Sequence, residues 1–199
     1  MSTINWEQLS SISSRKYVCG YCNNPLASNR GYFGHDTNSP VINNTFIYIC
    51  HQCNKPTFFD ISGNQTPCTT YGEEINDISS EEVALLYNEA RNCMGRRAYT
   101  AVVLCCRKLL MNIAVSKGAK KGLSFIEYVK YLSDQNYIPP DAKDWVDHIR
   151  NKGNEANHEI SIMKKEDAED LINFIGTLLK IIYEFPSVIK QRISGAQKP

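Results

Sequence analysis

Two Cys-x-x-Cys pairs, Cys19-Gly20-Tyr21-Cys22 and Cys50-His51-Gln52-Cys53, constrain this chain more than any other feature, with 27 residues between them. A Cys-x-x-Cys knuckle turns both sulfurs toward one point, and two knuckles complete a tetrahedral four-thiolate shell. Redox chemistry is the competing use of such a pair. Two matched pairs in a loop-rich stretch favour a metal. His35 and His51 are alternative ligands close by. All four positions are filled by protein, so the metal is expected to be structural Zn2+ held by Cys19, Cys22, Cys50 and Cys53. Gly20 is expected to relax the knuckle turn.

The intervening segment alternates turn residues, such as Asn23-Asn24-Pro25 and Asn29-Arg30-Gly31, with β-prone runs at 31–34 and 45–50. Lys55–Asp60 reads as a last strand. Residues 1–14 read as a polar lead-in with Ile4, Trp6 and Leu9 as anchors. The whole resembles a zinc ribbon. A module of 1–72 with few large aliphatics buries little core, so the metal is expected to supply much of its folding free energy.

Residues 73–79 read as an acidic linker. Glu73, Glu74, Asp77, Glu81 and Glu82 give residues 73–85 a local charge of −5. From Ser79 the punctuation becomes helical. Ser79 or Ser80 caps a first helix, a second covers about 96–116, and Ser124 caps a third. Pro139-Pro140-Asp141 opens a fourth helix, whose buried side is Trp145, Val146 and Ile149. A fifth runs from about 164 to 184, and Pro186 ends it or bends it into a tail. The expected fold is mainly α: an antiparallel bundle of about five helices over 80–193, a small N-terminal β-rich zinc ribbon, and a tail at 194–199.

Within the fourth helix Arg150, Asn154 and His158 are spaced i, i+4, i+8, which aligns a cation, an amide and an imidazole on one face. That row suits a phosphate-like anion, and equally a buried polar seam. Residues 86–130 carry nine basic side chains against Glu89 and Glu127, a local charge of +7. Arg96, Arg97, Arg107, Lys108, Lys120 and Lys121 are the candidate nucleic-acid contacts of this belt. Solvated helix faces explain the same run. No uninterrupted apolar run reaches the roughly 18 residues that span a bilayer. The polar N-terminus lacks the layout of a secretion signal, which leads to an expected cytoplasmic location without membrane attachment.

Three stretches carry a family resemblance: Tyr87-Asn88-Glu89-Ala90, the run Ala101–Leu110 through Arg107, and Ile149–His158 through Gly153-Asn154. A closing helix with Asp167-Ala168-Glu169 and Tyr183–Pro186 completes it. Residues 80–186 resemble an uncharacterised prokaryotic and phage family, a domain of unknown function of the DUF4145 type. Through it the chain resembles the HEPN superfamily. That resemblance implies an antiparallel bundle, a homodimer, and a place in bacterial defence or restriction-type systems. It also implies an Arg–polar–His ribonuclease pattern, in which Asn154 and His158 match while the arginine position falls on Gly153; Arg150 lies one turn earlier on the same face. Three readings follow. The chain is a module that binds nucleic acid (RNA first) or a protein partner in such a system. Alternatively it is a metal-independent ribonuclease toxin using Arg150, Asn154 and His158. The third reading is a structural adaptor with a buried polar network.

Overall fold

The computed structural model describes residues 6–35, 44–139 and 162–195. The expected fourth helix, with Arg150, Asn154 and His158, lies outside these residues. The chain divides into two units, Met1–Thr70 and Tyr71–Pro199.

The first unit is an antiparallel meander of β1 (Ser10–Val18), β2 (Pro25–His35), β3 (Asn44–Ile49), β4 (Pro56–Phe59) and β5 (Gln65–Thr66), in that spatial order. Residues 10–14 of the expected lead-in therefore belong to an edge strand, with Lys16 opposite Ala27 and Val18 opposite Pro25. Apolar alternation does not announce this strand, because most of its side chains face water. Gly31 is required by close approach: a Cβ there would stand 1.8 Å from the Ile47 carbonyl oxygen on β3. The small core joins Tyr17, Leu26, Tyr48 and Phe59 to the cysteines. Phe59 meets Tyr17 and Tyr48 edge-on at centroid distances of 5.3 and 5.7 Å, and the Arg15 guanidinium covers its ring at 3.9 Å. Aromatic edges and a stacked cation replace the aliphatic mass that so short a module lacks.

The second unit contains α1 (Glu81–Gly95), α2 (Tyr99–Ser116), α3 (Phe125–Asp134), α4 (Lys165–Leu179) and α5 (Phe185–Gly195). A π turn at Lys180–Glu184 joins α4 to α5 in one continuous rod, so the described residues hold four helical rods. Ser80 accepts the Val83 N–H at 3.3 Å to start α1, and Ser124 with Glu127 forms a reciprocal capping box on α3. α2 is central and packs on α1, α3 and α4. Val102, Leu109, Leu110 and Ile113 are fully enclosed. By length and composition alone, α2 and the Lys165–Ser194 rod are apolar enough to cross a membrane, with mean hydropathies of 1.4 and 1.3. In this fold the apolar character of α2 is used as the core of the helical unit.

Two expectations are corrected here. The chain is not mainly α with about five helices: among the described residues it is α/β, a five-stranded antiparallel sheet followed by four helical rods. The runs at 31–34, 45–50 and 55–60 read as β-prone in the sequence, but β1, the first part of β2 and β5 do not, because Ser, Asn, Arg and Gln occupy them and the cysteine cluster stands in for a core. Pro186 does not end the last helix. Proline lacks an N–H and crowds the carbonyl four residues back, here Ile182. The π turn widens the helix just before it, and the Phe185 N–H reaches the Lys180 carbonyl five residues earlier.

The acidic segment 71–78 runs along the helices of its own unit. Arg91, 4 % exposed, donates from Nε to the Tyr71 carbonyl at 2.8 Å and from Nη2 to the Gly72 carbonyl at 3.0 Å. Its Nη1 donates to Asn88 Oδ1 at 2.9 Å. Tyr87 Oη donates to the Glu73 carbonyl, Lys180 pairs with the Glu73 carboxylate, and Glu184 accepts the Asn76 N–H at 2.8 Å. Ile75 is buried in the helical core.

Candidate metal centre

The two knuckles are copies of one local structure. Cys19 donates its N–H to the Asn24 carbonyl at 3.0 Å, and Asn23 donates back to the Cys19 carbonyl at 2.8 Å. Cys50 and Lys55, and Asn54 and Cys50, repeat the pattern at 3.0 and 2.8 Å. Each knuckle closes on an asparagine in the left-handed region, Asn23 at φ 55° and Asn54 at φ 56°. Asparagine tolerates that conformation better than other side chains do, glycine apart. The motif is thus Cys-x-x-Cys-Asn, twice, a signal present in the sequence and passed over there. One knuckle lies between β1 and β2 and the other between β3 and β4, so the meander brings two hairpin turns together.

Gly20 has a different purpose from the turn relaxation expected of it. A Cβ at Gly20 would stand 2.4 Å from the Pro67 carbonyl oxygen and 2.7 Å from that of Cys68. The 67–68 segment lies directly on the first knuckle. Gln65 fastens that segment by donating from Nε2 to the Val18 carbonyl at 2.8 Å and the Pro67 carbonyl at 3.0 Å.

All four sulfurs lie within 4.8 Å of one another, with Cys19 to Cys53 at 3.7 Å and Cys22 to Cys50 at 3.8 Å. A tetrahedral zinc with bonds of about 2.3 Å sets neighbouring sulfurs about 3.8 Å apart. Those separations are far beyond a disulfide bond of about 2.05 Å. Cys19 and Cys50 are buried, Cys22 and Cys53 half-buried. The Tyr21 N–H points at Cys19 Sγ at 3.5 Å, as an amide does toward a thiolate. Four cysteines in this arrangement can bind a metal ion, and the geometry fits zinc. His35 and His51 are exposed and do not belong to the cluster.

The thiols oppose one another's ionisation. Burial works against a thiolate at Cys22, yet the Asn24 amide and the neighbouring thiols outweigh it and bring Cys22 down to about 7. Burial pushes Cys53 up to about 12, with the other three thiols adding to it against the Lys55 amide. Burial also raises Cys50. A set like this gives up its protons together only when a cation supplies the missing charge.

The basic candidates do not form one patch. Arg96 and Arg97 are exposed in the turn before α2, and Lys120 and Lys121 are exposed in the loop after it. The 18 residues of α2 separate the two groups by about 27 Å. Lys108 is exposed midway, while Arg107 is buried with its guanidinium 4.2 Å from the Phe125 ring centroid. The periodicity held this information: Val103, Arg107, Leu110 and Ala114 follow the i+4, i+3, i+4 spacing of a core face, and all four are buried.

The knuckle tips carry a chemistry of their own. Tyr21 is 49 % exposed, the Lys55 ammonium lies 4.8 Å from its ring centroid, and His51 and Gln52 are exposed beside them.

Residues 88–195 fit a family model described as Domain of unknown function (DUF4145), from within α1 to the end of α5, leaving the metal centre outside the matched stretch. No curated protein and no solved structure matches the chain.

Proposed function

The chain belongs to the DUF4145 family, and from that premise we propose that it is a two-part binding module for nucleic acid, RNA first, in a prokaryotic defence or restriction-type system. The closed four-sulfur cluster carries the reading. With four protein ligands a zinc ion has no position left for substrate or water, so it serves as a structural clip. What the clip holds in place is the pair of knuckle tips, where exposed Tyr21 stands under the Lys55 ammonium. An exposed ring beside a cation is the combination that stacks on a base and pairs with its phosphate. Arg96, Arg97, Lys108, Lys120 and Lys121 add exposed cations on the helical unit. The defence setting rests on the HEPN resemblance of the helical half.

The test is fluorescence anisotropy of a labelled single-stranded RNA with the full chain across a salt series. Affinity is expected to fall steeply as salt rises, because each phosphate contact releases a counterion. Tyr21→Ala is expected to weaken binding by about 1–3 kcal/mol, roughly 5- to 150-fold. The Lys120→Gln, Lys121→Gln double variant is expected to flatten the salt slope by about one per lost contact. Binding that is absent, or indifferent to salt, rejects the proposal.

A further inference from the structure

On the face of α2 that meets the start of α3, Leu104, Arg107, Lys108 and Met111 recur at helical spacing opposite Leu123, Ser124 and Phe125. These side chains line a cavity of about 290 Å³. Arg107 is its unusual member. Only 5 % of it is exposed, yet its Nη1 has no hydrogen-bond acceptor among the described residues. Among the described residues its partner is the Phe125 ring under the guanidinium. Glu127, the acid of the first turn of α3, is engaged by Ser124, whose N–H and Oγ it accepts at 2.7 Å each, and makes no ion pair with Arg107 among the described residues. Burial lowers the Arg107 pKa from its usual value, but a guanidinium stays charged in a protein.

A buried cation with an orphaned donor is unfavourable unless an anion meets it. The surroundings describe the anion. Lys108 is exposed at the rim and adds a second positive charge. Leu104, Met111, Leu123 and Phe125 form the apolar lining, and Leu104 is 49 % exposed at the mouth. The volume lies at the lower limit of small-molecule pockets, which run from about 300 Å³. It suits a compact ligand.

We infer that this cavity is a binding site for a small organic anion, a carboxylate or phosphate with an apolar or aromatic body. Arg107 and Lys108 meet the charged group, while Leu104, Met111, Leu123 and Phe125 cover the body. The site is independent of RNA binding at the knuckle tips, and it gives Arg107 a purpose other than a surface phosphate contact.

The experiment is a ¹⁵N chemical-shift titration of the full chain with three probes: phenyl phosphate, benzoate and inorganic phosphate. Saturable shifts are expected at residues 104–111 and 123–127, together with a shift of the Arg107 Nε–H. Phenyl phosphate is expected to bind at least tenfold more tightly than inorganic phosphate, because only it supplies the apolar body. Preference between phenyl phosphate and benzoate identifies the charged group. Arg107→Met, which keeps the volume without the charge, is expected to abolish the response, and Lys108→Gln to weaken it severalfold. Should Arg107→Met misfold, Leu104→Trp closes the mouth from an exposed position and is expected to remove binding instead. No saturable shift with any probe overturns the site, as do shifts centred elsewhere or probe binding that survives these variants.

Discussion

Replacing Arg91 by methionine tests how segment 71–78 is held to the helices. The buried guanidinium makes three hydrogen bonds, two to the backbone carbonyls of Tyr71 and Gly72 and one to Asn88. Hydrogen bonds from a charged donor contribute about 1.5–3 kcal/mol each, so three give roughly 4.5–9 kcal/mol before desolvation. Burying the cation takes back several kcal/mol. Methionine fills similar volume and leaves two carbonyls unsatisfied, for a net loss of about 3–4 kcal/mol. Urea unfolding followed by circular dichroism at the helical minimum reads this loss, since the signal comes mainly from the second unit. The midpoint should fall with little change in slope. Arg91→Lys retains the charge but not the three-way fork, and should lie between parent and methionine variant. A loss below about 1 kcal/mol for Arg91→Met, or full stability in Arg91→Lys, would refute the argument that geometry, not charge alone, fixes the segment.

Zinc content of the purified chain, read by mass spectrometry, should be one equivalent, and a strong chelator should abolish the amide dispersion of the first unit while leaving the helical signal. Four thiols must lose protons for metal to bind, so binding should release protons and retention should fall as pH is lowered; Cys22→Ser should weaken retention more than tenfold. Protein that carries no metal, or a first unit indifferent to chelation, would contradict the clip. Gly176→Ala should destabilise by about 1 kcal/mol, although alanine normally stabilises a helix interior by about that much relative to glycine. A Cβ there would lie 2.9 Å from Tyr87 Oη. Adding Tyr87→Phe removes that oxygen and should restore much of the loss; a Gly176→Ala chain more stable than its parent would show that the tyrosine moves aside freely.

The four-cysteine cluster was legible because the spacing of its pairs encodes a geometry directly. The starts of α1 and α3 were legible from Ser80 and Ser124 for the same reason. β1 was not, because a small meander with one face in water needs few apolar residues, and Ser10–Ser14 gives no alternation to follow. Arg91 and Arg107 were counted by sign as part of a surface belt. Both occupy core-facing positions, beside Tyr87 and Met94 on α1 and beside Val103 and Leu110 on α2. Helical phase would have separated them from Arg96 and Lys120. Asn23 and Asn54 were visible after each knuckle, but their use depends on a backbone angle that residue type only suggests.

The widened turn at Lys180–Glu184 holds one residue more than an ordinary turn, which sets every later side chain back by roughly 100° around the axis. Ahead of it Leu171, Ile175 and Leu178 face inward, as Ile182 does within it; beyond it Phe185, Ile189 and Ile193 continue the same sequence rhythm but stand in water. The eleven residues of α5 therefore obey a register written for an interior they never enter. Identical isoleucine-to-serine changes should be ruinous at 175 and nearly silent at 189.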